Sequence, residues 1–182
     1  MKINSVHIIS FGKIKNLKLD FSDNLNIIYG DNEAGKTHIA EFIKMMFYGS
    51  GSRGQGVNNL RKKYKPWDNS KMGGSIDFES GGTRYRLERE FKASNSADTI
   101  TLHNLDLGTT QSLSGNDNLG AQIFGISVGA FEQSVFIDNS VVFSGDNNGE
   151  LNLKLSNLSN STEEDISFEK ILKNISHARD SL

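Results

Sequence analysis

The most informative segment of the chain is Gly30-Asp31-Asn32-Glu33-Ala34-Gly35-Lys36-Thr37. It fits the pattern G-x-x-x-x-G-K-[ST] at every fixed position. The glycines let the backbone curl closely enough for its N–H groups to point at phosphate oxygens. Lys36 adds a positive charge at the outer phosphates, and the Thr37 hydroxyl is placed to ligate Mg²⁺. The segment therefore predicts a phosphate-binding loop, or P-loop, for a nucleotide and Mg²⁺.

The segments on either side have the pattern that a P-loop requires. Leu25–Tyr29 is a short apolar run that predicts a strand buried on both faces, and it leads directly into the loop. After the loop, one face of a predicted helix carries an apolar stripe. Its members are Ile39, Phe42, Ile43, Met46 and Phe47. Gly49 is expected to end this helix.

Antiparallel hairpins are predicted before and after this strand–loop–helix unit. Residues 2–10 and 15–21 read as two strands, and residues 74–80 and 83–91 read as two more around the turn Gly81-Gly82. The predicted fold is therefore an α/β P-loop fold. Its mixed sheet combines antiparallel hairpins with the P-loop strand and helix.

The chain is expected to divide into an N-terminal lobe, residues 1–153, and an appendage, residues 154–182. Residues 154–165 are polar and rich in Ser and Asn, which is typical of a linker. From Phe168 to Leu182 apolar residues recur at spacings of three and four, the rhythm of a coiled coil. This last segment reads either as the start of a coiled-coil arm or as an amphipathic helix packed on the domain.

Composition and charge limit the classes of function. The chain has 182 residues and a net charge of −2, so any DNA contact has to be local. It has no cysteine, which excludes disulfides and cysteine-ligated metals. It has no apolar run long enough to span a bilayer and no signal-peptide pattern at its N-terminus. A cytoplasmic protein without membrane contact is expected.

The densest basic cluster is Arg61-Lys62-Lys63-Tyr64-Lys65-Pro66-Trp67. Cations interspersed with aromatic rings are typical of a surface that binds the phosphate backbone of nucleic acid. The same segment also reads as a solvated loop beside a tryptophan that packs on the domain. The candidate nucleic-acid contacts are Arg61, Lys62, Lys63 and Lys65.

Two other classes of P-loop protein fit the chain less well than an ATPase. A GTPase needs the guanine-reading motif Asn-Lys-x-Asp, which the sequence lacks. A small kinase would continue with parallel strand–helix units, whereas this chain continues with a glycine hairpin. The nucleotide expected in the P-loop is therefore ATP.

An ordered series of motifs resembles the YhaN-type branch of the SMC/SbcC/RecN ATPases. The series covers roughly residues 1–140, and it is specific where the P-loop alone is generic. Its members are Asn32-Glu33-Ala34-Gly35-Lys36-Thr37, Glu41-Phe42-Ile43-Lys44, Met46-Phe47-Tyr48-Gly49, Lys65-Pro66-Trp67, Gly73-Gly74-Ser75-Ile76-Asp77-Phe78, Tyr85-Arg86-Leu87-Glu88-Arg89, Phe124-Gly125-Ile126, Phe131 and Val135-Phe136-Ile137.

The resemblance implies the N-terminal lobe of a split ABC-class ATPase head. In such proteins a long coiled coil leaves the head and returns to a C-terminal lobe, which supplies the signature motif, Walker B and the catalytic glutamate. Two heads dimerise around two ATP molecules, act on DNA in repair or processing, and commonly work beside a nuclease. This chain is therefore expected to hydrolyse ATP only when completed by the C-terminal lobe of the same protein. No residue here is assigned a catalytic role.

The resemblance also implies two positions outside the P-loop. Lys13, in the turn after the first strand, occupies a place that helps hold the nucleotide. Asn139 stands where the family has the glutamine of the Q-loop, and its shorter side chain either meets Mg²⁺ through water or does not reach it. The expected nucleotide-binding residues are Lys13, Gly30, Asn32, Glu33, Ala34, Gly35, Lys36, Thr37 and His38, and the expected Mg²⁺ ligands are Thr37 and Asn139.

Leu113-Ser114-Gly115 resembles the opening of an ABC signature motif but is interpreted as part of a polar loop. It lies before the Q-loop position, whereas the true motif belongs to the C-terminal lobe. After residue 90 no apolar stretch ends in Asp-Glu, so Walker B is missing. Two further interpretations stay open: a self-sufficient P-loop NTPase or kinase, and a non-catalytic nucleotide-binding module.

Overall fold

The computed structural model describes residues 1–50, 59–115 and 117–135. The chain divides into two compact units, Met1–Val128 and Gly129–Leu182. The elements of the first unit are β1 (Lys2–Phe11), β2 (Ile14–Asp20), α1 (Lys36–Tyr48), α2 (Leu60–Lys63), β3 (Gly73–Ser80), β4 (Thr83–Glu90), β5 (Thr99–Asn104), β6 (Thr109–Leu113) and α3 (Leu119–Phe124), with a 3-10 turn at Asn95–Ala97. A short helix, α4 (Val128–Ser134), begins at the last residue of the first unit.

A sheet in the order β2-β1-β3-β4-β5-β6 organises the first unit, and each of these strand pairs is antiparallel. Side chains of a strand point alternately to the two faces of the sheet: in β1, Val6 and Ile8 are buried whereas Ile9 is exposed. The predicted turn at Gly81-Gly82 joins β3 and β4, with φ angles of 58° and 76° that suit a two-residue hairpin. The α/β fold class is confirmed.

Helix α1 covers one face of the sheet and carries the P-loop at its N-terminus. Its side chains Phe42, Met45, Met46 and Phe47 are fully buried. Phe47 meets the ring of Phe78 on β3 edge-on, with 5.4 Å between the ring centroids. Each such burial contributes roughly 1.5–3 kcal/mol. The predicted amphipathic helix is confirmed, and the sheet beneath it fixes the position of the P-loop.

The prediction of a buried strand at Leu25–Tyr29 is wrong in this structure. The segment has no regular structure, and Leu25, Ile27 and Tyr29 are 84%, 74% and 91% exposed. Asn26 holds it locally, because its side-chain amide donates to the carbonyls of Ser22 and Asn24. A strand needs a neighbour for its N–H and C=O groups, and no described strand lies beside this segment.

Several predictions concern residues outside the described part of the chain. These are the linker at residues 154–165, the heptad-like segment at residues 168–182 and the Q-loop position Asn139. The division into residues 1–153 and 154–182 therefore stays a prediction. Among the helices that the structure describes, none is both long enough and apolar enough to cross a membrane.

Candidate nucleotide site

The P-loop makes a tight turn into the start of α1. Gly35 is the N-cap of the helix and adopts φ +106°, a conformation that favours glycine. Glu33 also has a positive φ, 64°, and the Ala34 N–H donates to the Asp31 carbonyl at 3.1 Å. No side chain in the described ranges caps the helix. The N–H groups of its first turn are therefore available to an anion.

Lys36 is folded back over this loop. Its Nζ donates to the carbonyl oxygens of Gly30 and Asp31, at 2.5 and 2.9 Å. The ammonium group thus lies at the loop whose N–H groups are positioned for phosphate. Hydrogen bonds between two charged groups are stronger than bonds to neutral carbonyls, so a phosphate can replace these partners.

The P-loop lines a cavity of about 580 Å³, a volume typical of small-molecule sites. The lining residues are Gly12, Lys13, Asn32, Glu33, Ala34, Gly35, Lys36, Thr37, His38, Lys63 and Trp67. This set includes every predicted nucleotide-binding residue except Gly30, which contributes the carbonyl that accepts from Lys36. A smaller cavity of about 300 Å³ lies along β3 and β4 and contains no P-loop residue.

The turn between β1 and β2 forms another wall of this cavity. Gly12 has φ +57°, and its N–H donates to the Tyr64 carbonyl at 2.7 Å. A Cβ atom at this position would lie 2.4 Å from Cδ2 of His38, so glycine is needed for the turn to approach α1 this closely. Lys13 reaches towards the P-loop, with its Cε 3.7 Å from where a Cβ on Gly35 would stand.

Positive charge collects at the cavity through Lys13, Lys36 and Lys63. Partial burial, and then the charges of Lys13 and Lys63, hold the pKa of His38 below its ordinary value. The imidazole is therefore neutral near pH 7. The three lysines supply the cationic charge, which suits an anionic ligand such as a polyphosphate.

Thr37 is the residue of the described site that fits a Mg²⁺ ion. It is exposed and lines the cavity immediately after Lys36. No group of three His, Asp or Glu side chains in the described ranges could hold a metal by itself. A Mg²⁺ ion here would be held by the threonine hydroxyl together with phosphate oxygens and water, which is the coordination that Mg²⁺ prefers at nucleotides.

The residues of the basic cluster lie in three different environments. The side chain of Arg61 is only 10% exposed and pairs with Asp98 at 2.8 Å, so its guanidinium is engaged inside the protein. Lys63 lines the P-loop cavity, with Nζ 5.1 Å from the centroid of the Tyr64 ring. Lys62 and Lys65 are exposed and do not line this cavity.

Asp98 is the centre of a buried ion network that the sequence did not reveal. Its carboxylate accepts from Arg89 Nε and Nη2 at 3.0 and 2.8 Å, from Arg61 Nη1 and Nη2 at 2.8 and 2.9 Å, and from the Lys92 N–H at 2.9 Å. Arg89 Nη1 also donates to the Met46 carbonyl at 3.1 Å, which ties the network to α1. The sequence held one indication of a buried charge, because Arg89 lies on the otherwise apolar face of β4.

The segment Leu113-Ser114-Gly115 has a packing explanation. Leu113 ends β6, and the Ser114 N–H donates to the Asp117 carboxylate at 2.8 Å. A Cβ on Gly115 would lie 1.5 Å from the Asn95 carbonyl oxygen. Only glycine fits against that backbone, so this glycine is explained without a role at a nucleotide.

The sequence of the chain is similar to those of known proteins. The profile of a family described as an AAA domain matches residues 5–182. The uncharacterized protein YhaN of Bacillus subtilis is 38% identical over 80 residues, which is 43% of this chain and 8% of YhaN. The DNA replication and repair protein RecF of Clostridioides difficile is 30% identical over 149 residues, 78% of this chain and 38% of RecF. RecF of Clostridium botulinum strain Loch Maree is 30% identical over 122 residues, 65% of this chain and 31% of RecF. The chain thus spans well under half the length of these relatives.

Proposed function

Because this chain belongs to the AAA domain family, as the N-terminal head segment of an SMC/RecN-like P-loop ATPase, we propose that it binds ATP with Mg²⁺ as one half of an ATPase head. The observation that carries the proposal is the cavity at the P-loop, where Lys13, Lys36 and Lys63 meet the N-terminus of α1, which no described side chain caps. Backbone N–H groups and ammonium groups both favour the phosphates of a nucleotide.

The exposed segment Leu25–Tyr29 supports a second lobe as the partner. It stands directly before the P-loop, and its apolar side chains are uncovered. Exposed apolar segments often mark a surface that another segment or partner covers. We propose that a C-terminal lobe of the same protein pairs with it and supplies the groups for hydrolysis. Two completed heads then dimerise in the presence of ATP.

We further propose a role on DNA, which the names of the relatives support. Two of them carry the name DNA replication and repair protein, and this supports DNA repair or processing as the setting of the assembled protein. A nuclease is the partner expected beside it. Asn139, at the position of the Q-loop glutamine, stays a predicted residue that either meets Mg²⁺ through a bridging water or does not reach it.

Lys36→Ala tests the nucleotide site. The substitution removes the ammonium group at the outer phosphates, an interaction worth roughly 1.5–3 kcal/mol, so affinity for ATP is expected to fall about 10- to 100-fold. Titration with a fluorescent ATP analogue in the presence of Mg²⁺ measures it. Lys18→Ala is the matched control, because it removes an exposed lysine on β2 that does not line the cavity. Equal affinities of the Lys36→Ala variant and the control would refute phosphate binding by this loop.

Lys62 and Lys65 test the proposed DNA contact. DNA binding by this chain is expected to be weak and steeply salt-dependent, since phosphate contacts would provide it. Replacing both lysines with Ala should reduce the slope of log K against log salt by roughly 0.9 for each DNA phosphate that a lysine no longer neutralises. Fluorescence anisotropy with a labelled duplex at several salt concentrations measures the slope. A double substitution of the exposed Lys71 and Lys92 changes the net charge equally. If both double variants have the same slope, the basic cluster is only a solvated loop.

A further inference from the structure

Trp67 has an unusual position for the largest apolar side chain in the chain. It is 96% exposed, so it does not pack on the domain, and it lines the P-loop cavity. Exposing a large aromatic ring to water is unfavourable unless a ligand or partner covers it. The exposed ring lies at the cavity where the phosphates of a nucleotide are expected.

The backbone around Trp67 is held from both sides. On the N-terminal side, the Tyr64 carbonyl accepts from Gly12, and the Tyr64 ring stacks on Phe11 with 4.7 Å between centroids. Trp67 itself lies in a tight turn that is closed by the Asn69 N–H, which donates to the Pro66 carbonyl at 3.2 Å. The indole is therefore carried on a turn whose start is fixed to the β1–β2 hairpin.

The C-terminal side of the turn is fixed to the same hairpin. Asp68 accepts from Lys15 Nζ at 2.5 Å and from Ser70 Oγ at 2.8 Å. These bonds favour the ionised carboxylate and hold the pKa of Asp68 well below its usual range. Ser70 Oγ also contacts Ser10 Oγ at 2.8 Å, which joins the loop to β1. A ring whose backbone is fixed in advance loses little entropy when a ligand stacks on it.

We propose that Trp67 is the base-stacking residue of the nucleotide site. The proposal rests on the function proposed above, since it requires the phosphates to lie in the P-loop. The cavity then has two chemically different parts: a cationic part formed by the lysines and the P-loop, and an aromatic part formed by the indole. A nucleoside triphosphate has the same two parts. Stacking uses the π-face that every base possesses, so Trp67 strengthens binding without selecting adenine strongly.

The experiment compares two ligands that share the phosphates and differ in the base. ATP and inorganic tripolyphosphate, each with Mg²⁺, are titrated by calorimetry into the full chain and its Trp67→Ala variant. The variant is expected to lose roughly 5- to 100-fold in affinity for ATP, the range found for base–aromatic stacking. Its affinity for tripolyphosphate should stay within about twofold of the wild type. Trp67→Phe, which keeps a ring, should recover most of the ATP affinity.

Intrinsic fluorescence gives a second readout, because Trp67 is the single tryptophan of the chain. ATP is expected to quench its emission saturably, whereas tripolyphosphate should leave the emission unchanged. Equal loss of ATP and tripolyphosphate affinity in Trp67→Ala, or no loss of either, would overturn the proposal. A loss of affinity for a single-stranded oligonucleotide but not for ATP would overturn it as well and assign the ring to nucleic acid. If the wild type binds neither ATP nor tripolyphosphate, the proposed nucleotide function itself fails.

Discussion

Asp98→Ala is expected to lower the free energy of unfolding by about 3–5 kcal/mol, the cost of removing one partner from a buried ion pair. The side chains of Asp98 and Arg89 are 0% and 1% exposed, and that of Arg61 is 10% exposed. Without the carboxylate, two guanidinium groups would share this buried space and lose the charge that pairs with both of them. Urea denaturation followed by circular dichroism measures the loss.

The matched control for this change is Asp106→Ala. Asp106 also pairs with an arginine and accepts from a backbone N–H, both of Arg84, but its partner's side chain is 62% exposed. An exposed pair contributes little to stability because water already stabilises both charges, so Asp106→Ala should lose much less stability than Asp98→Ala. If the two variants lose similar stability, burial does not decide the contribution of the Asp98 network.

Gly12→Ala is expected to destabilise the protein by roughly 2–5 kcal/mol and to weaken ATP binding. A left-handed conformation costs a residue with a Cβ about 1–2 kcal/mol. Crowding adds a further penalty of about 1–3 kcal/mol, because the new methyl group would stand 2.4 Å from the His38 ring. His38 directly follows the P-loop, so moving its ring disturbs the cavity that Lys13 and Thr37 also line. Urea denaturation and an ATP titration measure the two effects.

Gly81→Ala separates backbone strain from crowding. Gly81 has φ +58°, nearly the same as the +57° of Gly12, but nothing lies within 4 Å of a Cβ built there. The control should therefore lose only about 1–2 kcal/mol and bind ATP normally. Equal losses in the two variants, with unchanged ATP affinity in both, would show that the approach of Gly12 to α1 does not support the site.

The sequence predicted those parts of the fold whose cause is local. The P-loop, the stripe on α1 and the turn at Gly81-Gly82 each follow from spacings within a few residues, and the structure contains all of them as expected. The segment Leu25–Tyr29 has the composition of a strand, but a strand exists only beside another strand. Its pattern therefore indicates that the segment can form a strand, and does not indicate whether another strand lies beside it.

The candidate site was predictable where its residues are consecutive and not where they come together through the fold. Lys63 and Trp67 belong to the P-loop cavity because the Tyr64 carbonyl binds Gly12, a contact between distant parts of the chain. Within the basic cluster, Arg61 cannot be told from Lys62 by spacing. The difference between them arises from Asp98, which lies far along the sequence and beneath the surface.

The pairing of β1 with β3, called the β1–β3 joint below, sets the order in which the parts of the chain are expected to fold. Among the described strands, every neighbouring pair is consecutive in the chain except β1 and β3. Because β2, the P-loop and α1 all lie between these two strands, pairing them costs the entropy of a long loop, whereas each consecutive strand pair closes a much shorter connection. Helix α1 lies against β1, β3 and β4, so its apolar face is covered only after the joint has closed. The hairpins can form within about 1–10 μs, so we expect the P-loop to take its shape in the slower step that brings β1 and β3 together. A substitution that weakens the β1–β3 joint therefore delays the maturation of the nucleotide site without altering any residue that lines it.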